Sequence, residues 1–421
     1  MKEKAMYAYL SYWVYVGWIL ISLHCISCTH HSRLKSQNTK QSVDQSKKVI
    51  EFDGSIIQAN GEAVSADELF ERGVQAFESQ RFPLCEKHLT DYIKYFPQGS
   101  HLYYLHYNLG LCFEFQHKYA LAAQQFDLYT QMALKKKNIS DLIDGEVRQG
   151  YNLVYAGQGQ KSLPIYERLL LKEKLFGFDR AECHLRRGMT YILLKRYAEA
   201  DRDFSQALGH INGNIGTARK GNEALAEVYF QRGELYRRQM NEILLKMPVQ
   251  RMRRQLLDKS KLFRKSLYAY VDAIRVHHHY WATAAGHQLG VLHEEMYYGI
   301  LAAEVPPDFD AEMLAYYFYE MDKKLAPLIR ESISIFERTI TLSSVKGIAN
   351  SWVDATKKHL QDMRMLEESI QRRLSLDAIE AYALRPKAQK KSPKKSFLFH
   401  PKGPQALIPT EQKTKSIPPT P

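Results

Sequence analysis

A recurring glycine step constrains what this chain can fold into more than any other feature of its sequence. It is clearest in Ala181–Ile211, AECHLRRGMTYILLKRYAEADRDFSQALGHI. Leu185, Gly188, Tyr191, Ile192 and Leu193 recur at helical spacing, and after Lys195-Arg196 so do Tyr197, Ala200, Phe204, Ala207 and Leu208. The spacing predicts two short amphipathic helices joined by a tight turn. Gly188 and Ala200 are small enough to let the two backbones approach, while Tyr191, Tyr197 and Phe204 fill the space around that contact. Such a pair keeps an apolar outer face that needs a neighbour. Equivalent glycines stand at Gly73, Gly110, Gly150, Gly233 and Gly290, so that with Gly188 the successive intervals are 37, 40, 38, 45 and 57 residues.

The unit resembles the tetratricopeptide repeat (TPR), a helix-turn-helix module of roughly 34 residues with small residues at its crossing points. The resemblance implies an all-α fold, a right-handed superhelical solenoid of about six degenerate TPR helix pairs with a C-terminal capping helix, over residues 65–384. The first repeat runs from Ala66 to Pro97, and the second, from Tyr103 to about Ala133, is the most aromatic. In the third, Gly150 to Leu171, Pro164 is tolerable only in a first helical turn, which places that helix start near Ser162. A loop is expected around Gly209, Gly213, Gly216 and Gly221. In the fifth repeat, residues 241–259 form a basic, partly amphipathic insertion ahead of a second helix at Leu262–Ile274, and are read as longer helices. The sixth carries an insertion from Val305 to Asp310, and Trp352 to about Tyr382 is expected as one final helix.

The flanks differ in kind from the repeats. Net charge is +13, but residues 1–48 carry seven Lys/Arg against two acids and residues 385–421 carry nine against one, so the segment between them is neutral. The basic balance therefore describes two tails and gives no indication of a basic groove. Residues 1–28 read as a leader: Lys2 and Lys4 precede an uncharged apolar run from Ala5 to Leu23, and Ile26-Ser27-Cys28 resembles the lipobox of bacterial lipoproteins. That resemblance implies lipidation at Cys28, with an uncleaved membrane helix as the alternative; Cys25 departs from the usual pattern. Either form holds the body in the cell envelope on the periplasmic side. Residues 29–64, rich in Ser, Gln, Thr and Lys, read as a flexible linker, and residues 385–421 as a disordered basic Pro/Lys-rich tail.

Candidate chemistry is thin. Cys85, Cys112 and Cys183 fall at small-residue positions of repeat helices and are expected as buried free thiols, with a Cys85–Cys112 bridge as the alternative in an oxidising compartment. His277, His278 and His279, with His287 and His293, lack the i, i+4 spacing of a metal-ligand set, and no metal or cofactor is expected. No catalytic constellation can be placed, so the chain is not expected to be an enzyme. What remains is a surface. In TPR proteins the first helices line a concave groove, and carrying that over repeat by repeat puts Tyr104, Tyr107, Leu111, Glu114, Tyr151, Tyr155, Met189, Ile192, Glu234, Arg237 and Arg238 in it. The resemblance thus implies a non-catalytic interaction scaffold, similar to bacterial envelope TPR lipoproteins, that binds a peptide or partner helix. The alternative is a binder of cell-wall polymer, anionic lipid or another polyanion acting through the basic tail, with nucleic acid the least favoured partner.

Overall fold

The structure, a computed structural model, describes residues 56–57, 63–172, 175, 177–212 and 218–385. Cys28, the leader, most of the linker and the tail after Arg385 lie outside them. A two-residue strand β1 (Ile56–Ile57) pairs antiparallel with β2 (Ala63–Val64) at the end of the stretch expected as a tether. Every regular element described after it is a helix. The described residues form two compact units, one ending at Leu142 and one beginning at Ile143. In the first, α1 (Ala66–Glu78) pairs with α2 (Phe82–Tyr95) and α3 (Leu102–Phe115) with α4 (Tyr119–Lys135). The division falls within α5 (Ile139–Tyr155), which α6 (Gly159–Leu170) follows. Then come α7 (Gly177–Leu193) with α8 (Tyr197–Asn212), α9 (Ala218–Glu242) with α10 (Val249–Arg275), and α11 (His279–Leu301) with α12 (Ala311–Val345). The chain closes with α13 (Ser351–Leu374) and α14 (Ala378–Ala383). The fold is all-α, and among the described residues no helix is long and apolar enough to cross a membrane.

One contact repeats in every pair. A Cβ added to Gly73, Gly110, Gly150, Gly188, Gly233 or Gly290 would lie within 3.0 Å of the side chain of Leu89, Phe126, Tyr166, Phe204, Tyr270 or Phe336 respectively. In the first four pairs the partner stands sixteen residues after its glycine. In the last two it stands 37 and 46 residues after. Four residues before each partner is a fully buried small residue: Cys85, Ala122, Ser162, Ala200, Ser266 and Ser332. The two late serines donate to the carbonyl of their own pair's glycine, Ser266 to Gly233 and Ser332 to Gly290, both at 2.9 Å. A buried hydroxyl is thereby satisfied at the point where the backbones are nearest.

The turns are as regular as the crossings. Gln80, His117, Gly157 and Lys195 each occupy the middle of a three-residue connection between first and second helix, with φ between 54° and 76° as at Lys137 and His277. In each of these four the next residue's N–H reaches back to a carbonyl of the helix just ended, as Arg196 does to Tyr191 at 2.8 Å. This is the left-handed C-cap geometry, and only Gly157 adopts it without the cost of about 1–2 kcal/mol that a Cβ imposes there.

Several sequence expectations need correction. The second helix of the third pair starts at Gly159, not near Ser162, and Pro164 lies inside it. A single missing backbone bond is tolerated because the helix is fixed by burial of Leu163, Ile165, Tyr166 and Leu169. Gly209 and Gly221, expected in a loop, are helical, and Gly213 and Gly216 lie outside the described residues. The expected single final helix is two, because Asp377 starts a new one by accepting from the N–H groups of Ile379 and Glu380, each at 2.9 Å. The insertion in the fifth pair is helical from Val249, so α10 runs to 27 residues. Buried Lys259 ties it down by donating to the Met240 carbonyl at the end of α9 at 2.8 Å, and burial lowers its pKa to about 8.

The cysteines also divide differently from expectation. Cys85 on α2 and Cys112 on α3 form a disulfide, with Cα atoms 6.3 Å apart, within the ordinary range for such a bond. The small-residue position of the first pair faces the first helix of the second, and that brings the two thiols together. Cys183 is a buried free thiol whose pKa burial pushes up.

The glycine-to-ring contact is open to a direct test. Gly188→Leu should destabilise the protein by about 1–3 kcal/mol through overpacking against Phe204. Phe204→Ala should cost about 3–5 kcal/mol by leaving a cavity. Combined, they should cost less than their sum, since the new side chain occupies the space the ring vacates. Urea unfolding of the four forms measures this, and strict additivity would show that the two positions do not meet.

Candidate partner-binding face

The residues placed in a groove from the sequence do not share one environment. Tyr107 and Leu111 are buried, with the Tyr107 ring against those of Phe126 and Tyr129. Glu114, Met189 and Ile192 are buried as well. Tyr104 remains half-buried beside Tyr103.

Glu234 and Arg237 form a buried brace. Arg237 donates to Glu234 at 2.8 and 3.1 Å, Tyr270 from α10 donates to the same carboxylate at 2.5 Å, and Arg237 reaches Glu295 on α11 at 2.5 Å. Burial acts to raise the Glu234 pKa, but Arg237, Arg238 and Tyr270 outweigh it and hold the carboxyl below its usual range. This brace binds three helices together, and only the half-buried Arg238 has exposure to offer a partner.

Tyr151 and Tyr155 have a different setting. Both are half-buried on α5, with ring centroids 4.6 Å apart. The Arg186 guanidinium of α7 lies over the Tyr151 ring, 5.6 Å from its centroid. Arg186 in turn donates to Glu227 on α9 at 2.5 Å and makes a longer contact with Glu182 at 3.5 Å. Tyr280 on α11 is close enough to Glu227 and Tyr155 for both to raise its hydroxyl pKa, after burial, the largest cause. Trp352 of α13 packs against Phe230. Half-buried aromatic rings and a charge pair therefore meet on the first helices from α5 to α13.

Sequence reasoning missed Arg186, Glu227, Tyr280 and Trp352 because, from the third repeat on, it read only positions one to five residues after each marker glycine. Tyr155 and Tyr151 stand five and one residues after their marker glycine. Arg186 stands two before its own, Glu227 six before and Tyr280 ten before. Each successive helix contributes a residue about one turn earlier, so the face crosses the helices diagonally.

The histidines do structural work. His277 takes the left-handed turn position, and the His278 Nδ1 caps α11 by accepting from the Trp281 N–H at 3.5 Å. His287 bonds to Thr356 at 3.0 Å, and burial together with the neighbouring His359 lowers its pKa to about 3. His293 is buried and bonded to the Leu289 carbonyl. Among the described residues no group of three or more His, Cys, Asp or Glu is placed to hold a metal ion.

No family model matches the chain, and no curated protein matches it. Among solved structures, a tetratricopeptide repeat protein from Parabacteroides merdae ATCC 43184 is similar over 71% of this chain and 98% of its own, at 17% identity and a TM-score of 0.32.

The Arg186–Glu227 pair is mostly buried, with side-chain exposures of 17% and 11%. Arg186→Met should therefore cost about 3–5 kcal/mol, because Glu227 is left buried and unpaired. Adding Glu227→Met should restore most of that loss. Urea unfolding of both variants tests the pair, and a double variant no more stable than the single one would count against it.

Proposed function

We propose that this protein is a non-catalytic interaction scaffold of the cell envelope that binds an extended peptide or a partner helix on the face built around Tyr151, Tyr155 and Arg186. One observation carries the reading: two half-buried tyrosines of α5 are braced by a charge pair from α7 and α9 instead of being sealed into a core. Tyrosines so placed offer part of a flat apolar ring at small entropic cost, which is how aromatic anchors contribute affinity in interfaces. Stacked helix pairs favour such a use, since each adds a stretch of surface without needing a new core.

The location outside the cytoplasm rests on Ile26-Ser27-Cys28, and the Cys85–Cys112 disulfide supports it, because structural disulfides persist in oxidising compartments. Acylation at Cys28 would hold the scaffold at the membrane, where a diacylated cysteine is stable and a single chain is not.

Two measurements test the proposal. Tyr151→Ala should weaken binding of the envelope protein captured by the wild-type chain by about 1–2 kcal/mol, roughly five- to thirtyfold, with the melting temperature nearly unchanged. A stability loss of about 3–5 kcal/mol would instead identify the ring as core. In cells fed labelled fatty acid, the wild-type chain should take up label and Cys28→Ala should not; label that survives the substitution defeats the lipoprotein reading.

A further inference from the structure

The helix α10 holds a concentration of charge that the neutral average of the folded region conceals. Val249–Arg275 carries eight Lys/Arg against two Asp. Its buried side is formed by Met252, Leu256, Phe263, Ser266, Tyr270 and Ala273. On the opposite side Arg253, Arg254, Lys261, Arg264 and Lys265 are all exposed. At 100° per residue they fall, with Leu257 and Tyr268, on one stripe about 120° wide. Leu257 is 44% exposed and Tyr268 51%, both large apolar side chains standing among the cations. Asp258 is matched by Lys261 at 3.1 Å and Asp272 by Arg275 at 3.2 Å. Arg254 and Arg264 have no acidic partner among the described residues.

We propose that this stripe docks α10 lengthwise on an anionic lipid surface. Charge complementarity selects the sign of the partner, and the interspersed apolar residues select its kind. A helix of 27 residues is about 40 Å long, enough to lay several cations on lipid headgroups at once. Leu257 and Tyr268 then enter the headgroup region, which a dissolved polyanion would leave in water. Helices that lie in a membrane interface have this composition, cationic along the polar flank and apolar at the contact line. The contact is distinct from the Tyr151 face and from the tail.

The test uses the full chain with vesicles of phosphatidylcholine, with and without phosphatidylglycerol. Wild type and the variant Arg254→Glu/Arg264→Glu share leader and tail, so the difference between them reads α10 alone. The variant should lose at least about tenfold in affinity for the anionic vesicles, at low salt, with little change on the neutral ones. Leu257→Ser should lose severalfold on anionic vesicles and nothing on heparin or duplex DNA. Circular dichroism melts check that the exposed substitutions leave the fold intact; if the reversals lower the melt, Arg254→Gln/Arg264→Gln replaces them. Unchanged vesicle binding in the charge variant overturns the proposal. So does a charge variant that loses vesicle binding beside a Leu257→Ser that loses none, since that pattern identifies a polyanion site.

Discussion

Six first helices in this chain leave out a side chain at one glycine so that a ring or leucine from the second helix can sit against bare backbone. Glycine inside a helix costs about 1 kcal/mol relative to Ala. Close packing offsets that cost, because a fully buried aromatic gains dispersion and apolar burial only if nothing stands in its place. The small residue four positions before the ring completes the joint. Insertions in the fifth and sixth pairs add 21 and 30 residues between glycine and ring, yet the contact forms there too. The joint is therefore the unit of this architecture, and the lengths between joints are free to vary.

What surrounds the joints changes along the chain. Toward the N-terminus it is aromatic, with Phe77, Phe82 and Phe115 in mutual ring contact. Later pairs rely increasingly on buried charge. Glu234 and Arg237 link three helices, Lys259 caps α9, and Asp322 on α12 binds Arg373 at 2.8 Å and Arg385 at 2.5 Å. Replacing such pairs with apolar residues is often neutral or stabilising, so their contribution lies in geometry. A guanidinium bonded to two carboxylates fixes the rotation of one helix against another in a way that an apolar contact does not. The longer helices of the fifth and sixth pairs have more need of that constraint.

The two surfaces proposed for partners are unlike. On the Tyr151 face, rings and ions are already engaged with each other and half-covered, which suits a partner that adds to an existing cluster. On α10 the cations exceed the acids and the apolar residues stand in water. Both arise from the same requirement, since each helix must bury one stripe and is free to present the other.

The sequence alone determined the joints. Gly73, Gly110, Gly150, Gly188, Gly233 and Gly290 were legible because helical periodicity and small-residue spacing are local properties, carried by residues three and four apart. It also showed the basic, partly amphipathic character of the stretch that begins α10. Local spacing did not reveal the left-handed turns, for five of the six in three-residue connections are built without glycine and hold their conformation through bonds to the preceding helix. Nor did it reveal the Cys85–Cys112 bond or the meeting of Tyr151, Arg186, Glu227 and Tyr280. Those depend on how far each helix is rotated and shifted against the last. Reading the positions just after each marker glycine placed Leu111, Glu234 and Arg237 in a groove when packing buries them, and passed over Arg186 one turn away. Tertiary structure decided these because the offset between neighbouring helices is set by the side chains of two pairs at once, a quantity no single repeat contains.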